Sequence, residues 1–359
     1  MANFNGQLRS NEIFSALYNM IISQEVFADN LGKHQTLVDK ARVDGGLYGD
    51  TKLFYSTDVL KSVAWGNDAE AANLLALHRP EAPECQAIHL DVFRQICLTV
   101  DNYLSKRAWA DEGAFSSFNS VMLGWMGETK KVYDGTLYNV FIGTTKAAGT
   151  AQTVEVDLSS TSSLTGTEKA KMEGMLIAQS LADLMVAMGD YSRDFNDYGN
   201  LRSYAEEGIK VIWNSKYVNK IRKVDLPTIF HKDGLVDKFE EEILPERYFG
   251  DIQTAQHTSV AGERSMVEKD YTVSGKVTHV FPGDLIPVGA TVLANESYKA
   301  PAKDVICKVL VKLPPYMSAF EVGTSFFNPK SLTENHYLTF GHNTLEYLKN
   351  YPFITVQVK

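Results

Sequence analysis

Apolar residues recur along this chain at two different periods, and the switches between them divide it. At 11–29 the positions Ile13, Phe14, Leu17, Ile21 and Ile22 share one side of a 3.6-residue turn, which predicts an amphipathic helix capped by Ser10 or Asn11. GGLYG at 45–49 offers permissive backbone, and TKLFYSTDVL after it alternates as a strand. Its partner is expected in CQAIHLDVFRQICLTVDNYL at 85–104. Between them lies the charged, Ala-rich NDAEAANLLALHRPEAPE, where Leu74, Leu75 and Leu77 have few neighbours to bury them. Residues 50–89 therefore read as a long extended excursion. A two-stranded ribbon is marginal in water and its open edges invite another chain, so the excursion is expected to lean on a neighbour.

Farther on, Phe115, Phe118, Met122, Trp125, Met126 and Val132 mark one face of a helix over 111–133. Its length of about 22 residues, roughly 33 Å, is large beside the radius of gyration of roughly 21 Å expected for a compact chain of this size. It is expected to act as a spine across a sheet, with Trp125 and Trp213 as core anchors. DGTLYNVFIG at 134–143 reads as turn plus strand, and the Thr-, Ser- and Gly-rich stretch after it as a surface hairpin or loop around TVEVDL. Thr165 and Glu168 form a capping box for a helix that buries Ile177, Leu181, Leu184, Met185 and Met188, with Gly189 as its left-handed end. A polar loop, SRDFNDYG, then leads to a strand at 209–213 and a helical turn from Asn214. Residues 234–244 are expected to form a short acidic helix stopped by Pro245, with Glu240, Glu241 and Glu242 on its solvated face. From 271 to 313 the pattern is β, punctuated by Gly and Pro, and strand spacing continues to the last residues, which predicts a paired C-terminus.

Composition narrows the function more than it sharpens the fold. The 359 residues, 44% hydrophobic, suffice for a sizeable core, which excludes disorder throughout. A formal charge of -9, from 44 acids against 35 bases, argues against a tight grip on phosphate backbones. Cys85, Cys97 and Cys307 are odd in number and widely spaced, which indicates neither a disulfide framework nor a zinc knuckle and makes reducing cytoplasm the default. No basic leader precedes an apolar run, and no run approaches a membrane span, so a protein made and used in soluble form is expected.

Candidate chemistry is sparse. VSGKVT lacks the remaining elements of a phosphate loop, since Asp270 and Val277 stand where Gly and Ser or Thr are needed, and GTTKAAGT at 143–150 lacks the GK[ST] ending. No GxSxG elbow exists. His336 and His342, with Glu334 and Glu346 nearby, have metal-ligand chemistry but neither helical nor adjacent-strand spacing. His89 and Asp91 could share a strand face, more simply as a cross-strand polar pair than as part of a triad. No catalytic, cofactor-binding or metal residue is assigned, and an enzyme is not expected.

Several segments in order carry a family resemblance: RPEAP at 79–83 leading to the strand around Phe93, the helix with Phe115 and Phe118, SRDFN at 192–196, and RSYAEEGIKVIWN at 202–214. With them the chain resembles the major capsid proteins of tailed bacteriophages with the Hong Kong 97-like fold, closest to short-tailed phages of the phi29 type. The resemblance implies an α+β fold divided into an N-terminal arm (1–44), an extended loop (45–90), a peripheral domain with a spine helix (91–138), an axial domain (139–324) and a return to the peripheral domain (325–359). Residues 250–300 match nothing in that family and are set apart as an insertion. It implies self-assembly into hexamers and pentamers of an icosahedral head in the host bacterial cytoplasm, around double-stranded DNA held by weak non-specific contact. Scaffolding protein and portal are the implied partners, with no cofactor and no membrane. Some members crosslink a loop Lys to an Asn of a neighbour, which here points to Lys52 and Lys61 and to Asn335, Asn343 and Asn350. The alternatives are a phage tail or connector protein, and a soluble enzyme with an unrecognised site.

Overall fold

The structure, a computed structural model, describes residues 37–45, 51–62, 77–101, 112–144, 152–222, 240–300 and 304–359. The helix expected over 11–29, together with Leu74 and Leu75, lies outside them. Two five-stranded sheets carry the chain. The first holds β1 (Arg42–Asp44), β2 (Thr51–Ser56), β3 (Glu84–Asp101), β15 (Tyr316–Asn328) and β16 (Thr333–Asn343), in the order β1-β15-β16-β3-β2. The strand pair expected from the alternation is present: Thr51 lies opposite His89 and Ser56 opposite Glu84, antiparallel. The ribbon is not isolated, because the other part of β3, from Leu90 to Asp101, pairs with β16. One 18-residue strand thus joins the extended excursion to the body of the sheet.

Helix α2 (Glu112–Ile142), 31 residues long, packs against β3 and β16 of this sheet. The turn and strand expected at 134–143 are instead its last turns. Asp134 is no turn former here; its buried carboxylate accepts from Lys130 one turn back, at 3.1 Å. Tyr138 and Ile142, four apart, are fully buried, and that burial outweighs both Gly135 and the β-propensity of the sequence. The buried stripe is also turned relative to expectation. Met126, Lys130, Tyr133 and Asp134 face inward, whereas Trp125 is 44% exposed and Val132 is exposed, so Trp125 is not a core anchor. Lys130 and Asp134 are partners on the inward face, and their charges hide that face from a hydrophobicity pattern. The side chains of Phe115, Phe118 and Met122 lie outside the described ones. Ahead of β1, α1 (Leu37–Ala41) packs Leu37, Val38 and Ala41 into the cluster that holds Tyr138 and Ile142.

The second sheet runs β4 (Thr153–Val156), β17 (Phe353–Val358), β14 (Val305–Leu310), β5 (Lys210–Asn214), β6 (Glu240–Leu244). TVEVDL does not turn back as a hairpin; β4 is an edge strand parallel to β17. The acidic run is not a helix face either. Residues 240–244 form the opposite edge, parallel to β5, where Trp213 Nε1 donates to Glu241 at 3.1 Å, Lys40 pairs with Glu242 and Leu244 is buried. Helix α3 (Gly166–Gly189) covers one face with Ile177, Leu181, Leu184, Met185 and Met188 against Val211, Trp213, Val309 and Val356. Ile212, Leu310 and Phe353 on the other face meet the end of α2. Cover on both faces is why VICKVL reads as an almost unbroken apolar run. The capping box is not formed, since Thr165 makes no side-chain cap bond. Gly189 is the last helical residue, followed by extended Asp190, and the helix end is closed by Ser203 Oγ donating to Gly189 O at 2.7 Å. Helix α4 (Ser215–Arg222) starts where expected, with Asn214 Oδ1 accepting from the Lys216 amide. The boundary expected at 324/325 falls inside β15, and the final strand pairs with β14, not with the sheet of β3.

Residues 251–300 form three small sheets from β7 (Asp251–Thr254), β8 (His257–Thr258), β9 (Arg264–Ser265), β10 (Lys269–Val273), β11 (Lys276–Val280), β12 (Thr291–Val292) and β13 (Ser297–Ala300), around their own core of Tyr271, Val280, Ile286, Ala290, Val292 and Tyr298. Ser274 and Gly275 both have positive φ and close the β10–β11 hairpin, so VSGKVT is a turn. The unit sits tightly on the end of α2: a Cβ on Gly283 would lie 2.7 Å from Val140 Cγ2.

Candidate assembly surface

Chemistry-bearing side chains in the interior are spent on holding the elements together. Asp134 accepts from Tyr316 Oη at 2.6 Å as well as from Lys130, and Arg42 reaches it at 3.4 Å. Burial first, and the Asp134 carboxylate second, push the Tyr316 hydroxyl far up. His342 lies beside this group; its Nδ1 is 2.9 Å from the Asn343 carbonyl and so donates, which leaves Nε2 to accept from Tyr133 Oη at 3.1 Å. Burial holds its pKa below the usual histidine value, in keeping with that neutral ring. His336 stands six residues along β16, roughly 20 Å away at about 3.4 Å per residue, so the two histidines do not meet. Among the described residues no cluster of three or more His, Cys, Asp or Glu could hold a metal.

The other candidates are likewise occupied. His89 Nδ1 meets Thr51 Oγ1 at 2.9 Å on β2, while Asp91 accepts from the amide and hydroxyl of Thr344 just past β16, so the two are tied to different segments. Asn343 is fully buried and bonded to Met317, Pro315 and Thr344. Lys61 Nζ donates to Glu81 at 2.7 Å, and that bond raises its pKa, the opposite of what a nucleophilic amine needs. Cys85 and Cys97 are exposed and Cys307 is buried, all as free thiols.

Two lysines that the sequence did not flag close the joint between α2 and its neighbours. Lys308 is fully buried in β14 and donates to Thr144 O at 2.7 Å and Thr355 Oγ1 at 2.6 Å, with its ammonium 3.9 Å from the centre of the Phe353 ring. Lys299, in β13, donates to Val140 O and Tyr248 O. The carbonyls at the end of α2 carry partial negative charge, which favours a cation there. Burial first and the Arg264 guanidinium second push Lys299 down to about 7, against an upward pull from Asp251. Above that pH the folded chain releases the proton while the unfolded chain keeps it up to its ordinary value of 10.5. The unfolded state then binds more protons, so stability should rise with pH through this window, by up to about 1.4 kcal/mol per pH unit. Urea midpoints between pH 7 and 9 should show that rise flattened in K299M; equal slopes in both chains would refute it.

The outside is different. On the ribbon, Leu53 and Tyr55 point outward along β2, and beyond it Val59 is half exposed and Leu60 (78%) and Leu77 (81%) are largely exposed. Past the end of β2, an open groove of about 810 Å³ is lined by Val59, Val186, Tyr191, Leu201 and Glu206. Val186 and Tyr191 are more than 70% exposed. Single exposed apolar residues are ordinary on any protein; a run of them on a slender ribbon beside an apolar groove marks an interaction surface. Alternation in TKLFYSTDVL already pointed to the ribbon, whereas the groove joins segments too far apart in sequence to be read from it.

No protein-family model matches the chain, and no curated protein matches it in sequence. Solved structures do match in shape. A chain from the capsid structure of Staphylococcus phage Andhra overlays with a TM-score of 0.59 at 9% identity, covering 90% of this chain and 84% of that one. A chain from the structure of the head fibre and inner core protein of native bacteriophage P68 overlays with a TM-score of 0.57 at 10% identity, covering 92% and 88%. The chain has the Hong Kong 97-like α+β fold found in bacteriophage capsid structures.

Proposed function

We propose that the chain is a bacteriophage major capsid protein that assembles with copies of itself into the hexamers and pentamers of an icosahedral head enclosing double-stranded DNA. The observation that carries this is the near full-length overlay on a phage capsid structure, made by a chain in which the two most exposed large apolar side chains among the described residues, Leu77 and Leu60, lie on the ribbon segment. In this reading β3, β15, β16 and α2 form the peripheral domain, the sheet under α3 forms the axial domain, and the ribbon around β2 is the extended loop. The chain is structural and not an enzyme, its place is the virion, and assembly takes place in the host cytoplasm. Scaffolding protein and portal are its partners during assembly, and the net charge of -9 suits a container wall that does not hold its DNA. Kinship with phi29-type coats rests on the order of RPEAP, the helix with Phe115 and Phe118, SRDFN and RSYAEEGIKVIWN along the sequence. The test is electron microscopy of the purified, expressed chain with its scaffolding protein. Closed shells are expected; rings or tubes of uniform width would favour a connector or tail protein instead.

A further inference from the structure

The polar loop from Ser192 to Arg202 is tied to the body of the subunit through Asp197, which accepts from Gln152 and Tyr347 and whose amide donates to the Lys349 carbonyl, and four of its other groups converge on three consecutive residues of the ribbon. The Leu201 amide donates to Asp58 Oδ1 at 2.9 Å and Arg193 Nη1 donates to Asp58 Oδ2 at 2.6 Å. Arg202 Nη2 donates to Thr57 O, and Asn200 Nδ2 donates to Ser56 Oγ at 2.6 Å. Ser56 Oγ in turn donates to Asn350 Oδ1 at 2.6 Å, so the end of β17's approach is tied in as well.

The loop is stiff before it meets the ribbon. Asn196 and Asn200 are buried and bond each other reciprocally, Nδ2 to the Asn200 carbonyl at 2.7 Å and the Asn200 amide to Oδ1 at 2.8 Å. Gly199 takes a positive φ of 66°, and Ser192 and Arg202 exchange backbone bonds in both directions. A self-sufficient loop does not need Asp58, and the Arg193–Asp58 ion pair, half exposed on the Arg side, would by itself add little. What distinguishes the contact is the number of fixed donors aimed at one short stretch of backbone and side chain. The Leu201 amide, then Arg193 and the Val59 amide, hold the Asp58 carboxyl down to about 2, so the acceptor stays charged at any working pH.

We propose that Ser56, Thr57 and Asp58 are latched by the Arg193–Arg202 loop, and that this latch fixes the direction in which the ribbon leaves the subunit, so that the ribbon and the sheet under α3 move as one body. The role in assembly rests on the capsid reading; the latch itself does not. Fixing the direction lowers the ordering cost that an arm pays when it meets a neighbour, which makes assembly faster and its geometry uniform. Val59 follows immediately, so the latch also holds its apolar side chain at the edge of the groove.

Amide hydrogen exchange on unassembled full-length subunits tests the latch directly. In D58A, exchange over 57–62 and at Leu201 should rise about tenfold while β5 and β14 stay as in the unmodified chain. D58N, which keeps an oxygen for the Leu201 amide, should fall between them. Unchanged exchange at 57–62, or equal acceleration through β5 and β14, overturns the latch. Light scattering and microscopy with scaffolding protein then read the consequence: D58A should assemble several-fold more slowly and into irregular particles. A D58A chain that exchanges freely yet closes normal shells at the normal rate overturns the direction-setting role. If the unmodified chain closes no shells, the capsid reading fails and with it that role, while the exchange result still decides the latch.

Discussion

A chain lacking residues 52–78 is expected to fold and to remain unassembled. The segment contributes one edge strand, β2, whose ladder partner is the first third of β3, and β3 remains anchored by β16 through its other residues. The buried contact beneath that ribbon does not depend on β2 either, because Gln86 bonds the Tyr347 carbonyl and the Lys349 amide. Loss of stability should therefore be modest and confined to that corner. Loss of assembly should be complete, because Leu53, Tyr55, Leu60 and Leu77 are covered only if another chain supplies the surface. At about 25 cal/mol per Å² of apolar area, covering what each leaves exposed is worth on the order of 1–2 kcal/mol, repeated at every contact around a shell. Circular dichroism and thermal melting would report the fold, and sedimentation with microscopy the assembly. Normal shells from the shortened chain would remove the ribbon from the interface.

How far the sequence spoke depends on whether a feature is local. The ribbon, α3 with its stripe from Ile177 to Met188, and the start of α4 at Asn214 were legible, because each is written in the spacing of nearby residues and in short-range turn chemistry. The end of α2 was not. DGTLYNVFIG has the residues of a turn and a strand, and only contact with α1 and β17, distant in sequence, makes it helical. β6 failed for a related reason: three glutamates suggest a solvated helix face, but Trp213 and Lys40 give Glu241 and Glu242 partners at a sheet edge. Buried Lys299 and Lys308 were invisible because a sequence does not say which carbonyls a helix leaves open. The one hint was Lys308 itself, a lone cation within VICKVL. As for the assembly surface, alternation exposed the ribbon, but the groove beside it joins residues 59 and 186–206, and the latch joins 56–58 to 193–202. Neither pairing leaves a local trace.

Asp134 is where the interior should be least forgiving. Its carboxylate is 1% exposed and is approached by Lys130, Tyr316 and, from nearer the surface, Arg42. D134A removes the shared acceptor at one stroke. Arg42 has another carboxylate at hand, Asp39 at 3.6 Å, and is partly solvated. Lys130, 4% exposed on α2 and set against the Phe340 ring, loses this carboxylate, and the Tyr316 hydroxyl is left in the core without the carboxylate it donates to. Breaking a buried pair from one side costs about 3–5 kcal/mol, a large share of the stability of any domain. The loss should be visible as a fall in the urea midpoint, and because α2 and β15 meet at this point, assembly should fail with it. The companion variant decides the cause. If the penalty comes from breaking the ion pair on one side and not from lost volume, D134L combined with K130M should recover most of the stability, since well-packed apolar replacements for a buried pair are often neutral. A double variant as unstable as D134A would mean that Asp134 acts through Tyr316 and Arg42, and that the pairing with Lys130 contributes little.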